Sequence, residues 1–311
     1  MASAMNKRRG AAVNGLFLLN KPAGLTSNQA LQKVKRLLNA SKGGHTGALD
    51  PSATGMLPLC FGEATKVCAY LLDADKRYRV VARLGDATDT GDADGQVTET
   101  AAVPDLDTAA WQAVFTSFAG ASEQVPPMYS ALKHEGKRLY ELARKGQVVP
   151  RAARPIHIHG LELLEASGRR LAFRVHCSKG TYVRTLVEDM ARAVGTVAHT
   201  ASLHRETVAG FSADDMLELS QAETLAASGT DALAARLLPA DTALAGWPAC
   251  RIDHDAAARF SGGQAVPVPG GDEYPAGEHL RVYERREHFL GVGVATGEGH
   301  VAPRRIFRLA G

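Results

Sequence analysis

The chain is short of cysteine, of long apolar runs and of net charge, and each shortage removes a class of protein. Its four cysteines, Cys60, Cys68, Cys177 and Cys250, form no Cys-x-x-Cys pair. Neither a zinc knuckle nor a disulfide framework is therefore expected, and buried free thiols are. The apolar runs at residues 16–19 and 289–292 fall far short of the ~20 residues that cross a bilayer. The first residues lack the apolar core of a secretion signal, so the expectation is a cytoplasmic protein with no membrane partner. The phosphate-loop pattern Gly-x-x-x-x-Gly-Lys-Ser/Thr is absent, and the regular strand–helix cadence of a nucleotide-binding fold is missing, which disfavours a kinase or a nucleotide-driven motor. The 36 Lys+Arg against 33 Asp+Glu leave only +3, a weak pointer to a polyanionic partner when taken as a total.

What is present has a definite layout. At 311 residues, 45% hydrophobic and 22% charged, the chain predicts a globular protein of two domains. Residues 1–14 are rich in Ala, Gly and basic groups and read as a flexible tail. Residues 15–246 form the larger domain, and a change to Gly, Pro, Val and Arg after Trp247-Pro248 marks a small β-rich domain at 247–311. Residues 15–19 read as a buried strand. The Thr26/Gln29 spacing is a capping box, and Leu31, Val34 and Leu38 mark the face of the helix it starts. Alternation over 78–84 predicts a strand with Tyr78, Val80, Ala82 and Leu84 on one side. Helices are expected at 107–118, 137–145 and 181–194, strands at 156–164 and 171–177, and a helical approach to the second domain over 209–238.

The basic residues are not spread evenly: Lys133, Lys137, Arg138, Arg144, Lys145, Arg151 and Arg154 crowd one span. The acidic turn from Asp86 to Gly95 fails as a calcium loop. Aligning Gly91 with the invariant glycine leaves Val97 where the bidentate Glu belongs, and aligning Gly95 puts Thr90 and Ala101 at ligand positions. His157 and His159 share one face of a strand with no further ligands in view, so surface histidines are expected rather than a metal site.

The run Gly43-Gly44-His45-Thr46-Gly47-Ala48-Leu49-Asp50-Pro51-Ser52-Ala53-Thr54-Gly55 encloses one carboxylate among four glycines and a proline. Glycine permits positive φ and close backbone approach, and Pro51 fixes its own φ, so such a loop can aim Asp50 at a ligand. Tyr78 opens a strand, where its ring either stacks on a base or packs in the core. Arg184 falls on the first turn of the helix that follows Gly180-Thr181. It either pairs with Glu188 at i+4 or faces Asp50, in which case it lowers the carboxyl pKa.

This run closely resembles the signature loop of the TruB-type tRNA pseudouridine synthases, with Ser52 where leucine is expected, and the resemblance extends from Gly15 to the C-terminus. It implies an α+β pseudouridine-synthase fold, a mixed, largely antiparallel sheet flanked by helices, with a small β-rich PUA-like domain closed by Ala302-Pro303-Arg304-Arg305. Carried over by position, Asp50 is similar to the catalytic aspartate, Tyr78 to the base-stacking tyrosine and Arg184 to its salt-bridge partner. Leu203 is similar to the apolar wall beneath the uracil, and His45 to the histidine that holds the flipped-out loop. The stretch from Pro126 to Tyr140 resembles the RNA-gripping insertion, about 124–154, whose Lys133, Lys137 and Arg138 suit phosphate contacts. The implied activity is conversion of uridine 55 in the tRNA T arm to pseudouridine by an aspartate-dependent, base-flipping isomerisation without cofactor or metal. The implied partner is the T stem-loop of tRNA, bound by a monomer with no obligatory protein partner. A carboxylate-dependent glycoside hydrolase is the rival chemistry, and the sequence offers no convincing second carboxylate for it.

Overall fold

A computed structural model describes residues 10–270, 273–284 and 288–308. The chain begins with β1 (Gly15–Lys21) and α1 (Ser27–Leu37). The Thr26 hydroxyl accepts from the Gln29 amide and Gln29 Oε1 accepts from the Thr26 amide, so the capping box forms as the spacing predicts. There follow β2 (Gly43–His45), β3 (Thr54–Phe61), α2 (Cys68–Asp73), β4 (Lys76–Leu84) and the hairpin β5 (Asp86–Thr88) and β6 (Val97–Thr100). Next come α3 (Thr108–Phe118), β7 (Gly120–Gln124), a two-stranded ribbon of β8 (Lys133–His134) and β9 (Lys137–Arg138), and α4 (Leu139–Ala143). The domain is completed by β10 (Arg154–Ser167), β11 (Arg170–Cys177), α5 (Val183–Ala193), β12 (Ala198–Val208), β13 (Leu217–Glu218), α6 (Leu219–Ala227) and α7 (Thr230–Ala234).

Nine of these strands make one sheet in the order β13-β1-β3-β12-β4-β11-β10-β7, with β2 beside β3. Only β1/β13 and β3/β12 run parallel, so the sheet is mixed and largely antiparallel, as expected. On β4 the predicted alternation holds: Tyr78, Val80, Ala82 and Leu84 are buried while Arg77, Arg79 and Arg83 face outward.

The C-terminal part contains β14 (Ala249–Ile252), α8 (His254–Ser261), β15 (Val266–Pro267), β16 (His279–Glu284), β17 (His288–Ala295) and β18 (His300–Ile306), with the strands in one five-stranded sheet. It packs on the rest of the chain. Phe17 and Leu19 of β1 enter the helix-covered core, while Leu16 and Leu18 enter a second core shared with Phe289, Val292 and Phe307. Burial on both faces explains why β1 is continuously apolar instead of alternating. At the junction Lys66 Nζ donates to Ile306 O at 2.6 Å and the Arg308 amide to Glu63 Oε2 at 2.8 Å.

Three expectations shift. Of the tail, residues 1–9 lie outside those described, but from Ala11 the chain is tied down: Ala11 N donates to Asn39 O at 2.7 Å and Glu63 N to Asn14 Oδ1 at 2.8 Å. The helix expected from Lys137 starts at Leu139, because Lys137 and Arg138 pair with Lys133 and His134 across a turn at Glu135 and Gly136, both at positive φ. Between 209 and 238 helix is confined to α6 and α7, and β13 adds an edge strand.

The shared core predicts that Phe289→Ala lowers the stability of the whole chain by about 3–5 kcal/mol. Denaturant unfolding followed at the buried Trp111 of the larger domain should register the change; an unaltered midpoint there would mean that the two cores are independent.

Candidate active site

Asp50 lies in the loop between β2 and β3, and the backbone on either side of it is fixed by buried side chains. Ser27, at the start of α1, accepts from Leu49 N at 2.8 Å and donates to Leu49 O at 3.1 Å. Lys21, fully buried at the end of β1, donates to Pro22 O, Leu25 O and Pro51 O at 2.8, 2.7 and 3.2 Å. Arg205 of β12, also buried, donates to Gly47 O at 3.1 Å and Met56 O at 2.6 Å. Gly55 is required where the loop rejoins the sheet: at φ +100° a Cβ there would lie 2.3 Å from Arg205 O.

Arg184 faces Asp50, not Glu188. Its Nε lies 3.0 Å from Asp50 Oδ2 and its Nη2 3.3 Å from Oδ1, the two-point fork that matches guanidinium to carboxylate. The same guanidinium donates to Thr90 O and Tyr129 O, both at 2.7 Å, and Nη1 lies 3.9 Å from Asp92 Oδ2. Three segments remote in sequence thus converge on one cation: the Asp50 loop, the turn after β5, and the start of the basic span. Lysine could not satisfy this set, having a single nitrogen.

The Asp50 carboxyl is held above the usual aspartate pKa, not below it as Arg184 alone implies. Burial dominates; Arg184 and Lys21 oppose it, and the charges of Asp92 and Asp94 add to it. Since a guanidinium only donates, the partner of its fork is the ionised carboxylate. Tyr78 is buried on β4, and burial likewise raises its phenol above 10.0, with Arg205 offsetting part of the rise. It is a neutral ring at neutral pH, whose phenol accepts from Arg205. His45, at the end of β2, is half-buried and held below the usual histidine range by burial and by Arg205, with its Nδ1 buried and unpartnered.

Leu203 and Ser52 line a cavity of about 20 Å³ with Asp50, Asp92 and Arg184. That holds about one water and no base. A much larger open groove, about 1150 Å³, lies on the other face of the sheet among Arg77, Arg79, Arg174 and His204, and neither Asp50 nor Arg184 reaches it. Lys133, Lys137 and Arg138 are exposed side by side on the β8–β9 ribbon, and none of them forms an ion pair with a described residue.

The sequence does not single out Lys21, Ser27, Arg205 or Asp92. A lysine closing an apolar strand is the visible signal for Lys21; the others depend on tertiary contacts. Asp92 is the second carboxylate that the hydrolase reading lacks. Its Oδ1, however, is engaged by Thr90 Oγ1 at 2.6 Å and the Asp94 amide at 3.2 Å, and its Oδ2 lies 3.9 Å from Arg184 Nη1, so it serves the turn and the arginine. The other acids of the turn serve the fold: Asp86 pairs with Arg83 and Arg169, and Asp89 accepts from Gln96 N. His159 does have company, in Asp75 and His176.

A mixed sheet thus carries Asp50 in an arginine fork beside a small, largely polar cavity, and similarity to known proteins places that arrangement in a family. Residues 35–183 match the TruB family pseudouridylate synthase N-terminal domain, 184–245 the tRNA pseudouridylate synthase B C-terminal domain, and 248–307 the Pseudouridine synthase II TruB C-terminal domain. The tRNA pseudouridine synthase B of Nitrosococcus oceani is 48% identical over 97% of this chain and 98% of its own length, and that of Chromohalobacter salexigens 49% over 98% and 97%. A Cbf5-Nop10-Gar1 complex contains a chain of the same fold, with TM-score 0.72 and 24% identity, covering 96% of this chain and 85% of that one. The chain belongs to the TruB family of pseudouridylate synthases, and it is an isomerase.

The charge of Asp92 helps to hold the Asp50 carboxyl up, so Asp92→Asn should move the acid limb of the single-turnover pH profile to lower pH. In the wild type that limb should lie above the 3.8 of an unperturbed aspartate. A limb that stays in place on substitution would show that Asp50 does not sense Asp92.

Proposed function

We propose that this protein converts uridine 55 in the T arm of tRNA to pseudouridine, with Asp50 as the group that acts on the ribosyl uracil. The C1′–N1 bond breaks, the uracil turns, and C1′ bonds to C5; the proton lost from C5 is balanced by one gained at N1. The product is an isomer, so neither oxidant nor nucleotide is consumed. The observation that carries the reading is the Asp50–Arg184 fork, which keeps one carboxylate ionised and aimed beside Leu203.

A uridine in a folded loop must leave its stack before a side chain can reach C1′. In this reading Tyr78 and Leu203 receive the flipped base, and His45, neutral and with an unpartnered nitrogen, holds the loop it leaves. The exposed ribbon bearing Lys133, Lys137 and Arg138 binds backbone phosphates, and the C-terminal sheet extends the RNA surface. The enzyme works in the cytoplasm as a monomer, without a guide RNA, obligatory protein partner, metal or cofactor.

The decisive experiment incubates the purified chain with an unmodified tRNA transcript and with one carrying cytidine at position 55, followed by nucleoside analysis. Pseudouridine should appear only in the first. Asp50→Asn should reduce it by at least ~10³-fold, the scale on which an essential catalytic group acts, while leaving tRNA binding nearly intact. Appreciable single-turnover conversion by that variant would remove Asp50 from the chemistry.

Neutralising Lys133, Lys137 and Arg138 together should weaken tRNA binding and flatten its salt dependence, by up to ~0.7–0.9 log unit of slope for each phosphate the variant no longer neutralises. The rate at saturating tRNA should be preserved. An unchanged salt slope would mean that the ribbon does not touch the RNA.

A further inference from the structure

We propose that Asp75, His159 and His176 form a binding site for a transition-metal dication, Zn²⁺ before others, on the face of the sheet opposite Tyr78. The three come from adjacent strands: Asp75 immediately precedes β4, His176 is on β11 and His159 on β10. His176 pairs in register with Arg77, which places it on the outward face of the sheet. Plain alternation from the Ile158–Cys177 pair already sets His159 on the face of His176. The pairing of β10 with β11, however, slips between Ile158 and Gly160, and the extra residue in this bulge is His159. The His159 side chain nevertheless stays beside His176, with 4.6 Å between ring centroids.

The donor atoms fit a metal. His159 Nε2 lies 3.1 Å from Asp75 Oδ2, and all three ligand atoms lie within 4.8 Å of one another. Tetrahedral zinc with bonds of 2.0–2.2 Å sets its ligand atoms ~3.3 Å apart. Two donors already have that spacing, and turning the partly exposed His176 ring supplies the third. The Asp75 carboxylate supplies the negative charge that offsets Arg77. Two imidazoles with one carboxylate favour zinc, nickel or copper over magnesium or calcium, which take oxygen sets. Water would complete the coordination. A bound ion would clamp β10 and β11 to the entry of β4, three residues before Tyr78, and so act on stability and not on the chemistry at Asp50.

The test is calorimetric titration of the untagged, chelator-treated full chain with Zn²⁺, with Mg²⁺ as the control. One saturable zinc site is expected, with a Tm rise of roughly 5 °C at ~100-fold excess over Kd and no binding of magnesium. His159→Asn and His176→Asn should each weaken zinc more than ~10-fold while keeping the Tm of the stripped protein and its pseudouridine formation. Because the Cys60 and Cys68 thiols are themselves in contact, Cys68→Ser is titrated in parallel and should bind zinc like the wild type. Substituted cobalt should show no thiolate charge-transfer band. The proposal is overturned if zinc gives no saturable heat, if Cys68→Ser abolishes the site, or if the His159→Asn/His176→Asn double variant binds unchanged. Should that double variant fold poorly, the same titration of Asp75→Asn decides, unchanged affinity overturning the site and weakened affinity supporting it.

Discussion

The two-point contact between Asp50 and Arg184 is the constraint around which the active-site half of the molecule is arranged. A guanidinium that is 7% exposed is stable only if its nitrogens are all engaged, and here carboxylate, backbone carbonyl and a second aspartate share them. Each partner sits on a different segment. The arginine therefore sets the relative positions of the Asp50 loop, the β5–β6 turn and the first residues of the basic span. Displacing any one of these segments would strand a buried charge.

Asp50 remains available because the other buried cations are satisfied elsewhere. Lys21, Lys76 and Arg205 are 0, 7 and 1% exposed, and the hydrogen bonds they make go to backbone carbonyls such as those of Pro51, Leu72 and Met56. They fix the loop and strand ends without competing for the carboxylate. The cost of burying them is visible in Lys21 and Lys76, both held down at about 8. Arg205 is the one placed beside the Tyr78 phenol. Under the function proposed above, these buried cations around the Asp50 carboxylate suit a polyanionic substrate although the chain as a whole carries only +3.

Much of this is legible in the sequence where the signal is local. The Thr26 capping box, the alternation on β4 and the burial of Leu31, Val34 and Leu38 depend on neighbours a few residues away, and the structure reproduces them. The turn residues Glu135-Gly136 are also visible, but the helical spacing of Leu139 and Leu142 draws the expected helix back over Lys137 and Arg138. Contacts across long separations are not legible. Arg184 has two partners open to it, and the choice lies 134 residues away. The carbonyls of Thr90 and Tyr129 have no side-chain signature at all. The direction of the Asp50 pKa escapes the sequence for a related reason: a single favourable neighbour is readable, whereas the burial that outweighs it belongs to the assembled loop. The bulge at His159 breaks the two-residue period by which strands are read.

The small cavity beside Asp50 lies where the carboxylate loop and the basic span come closest. Its volume of about 20 Å³ is smaller than a uracil, so a base would rest at its open side. Its walls include Asp50 and Arg184 themselves, together with Leu203 at the register position of Val80. Arg184 is held from one side by Tyr129 O, and Tyr129 lies only four residues before Lys133 on the exposed ribbon. A phosphate backbone that pulls on the ribbon therefore acts on the same short span of chain that braces the arginine. Arg184 is 7% and Asp50 37% exposed, so the carboxylate keeps an open side while its arginine is braced by a segment continuous with the exposed cations of the ribbon. Under the function proposed above, binding energy gained on the ribbon is therefore delivered next to the arginine that holds Asp50, where an enzyme that must unstack its substrate spends it best.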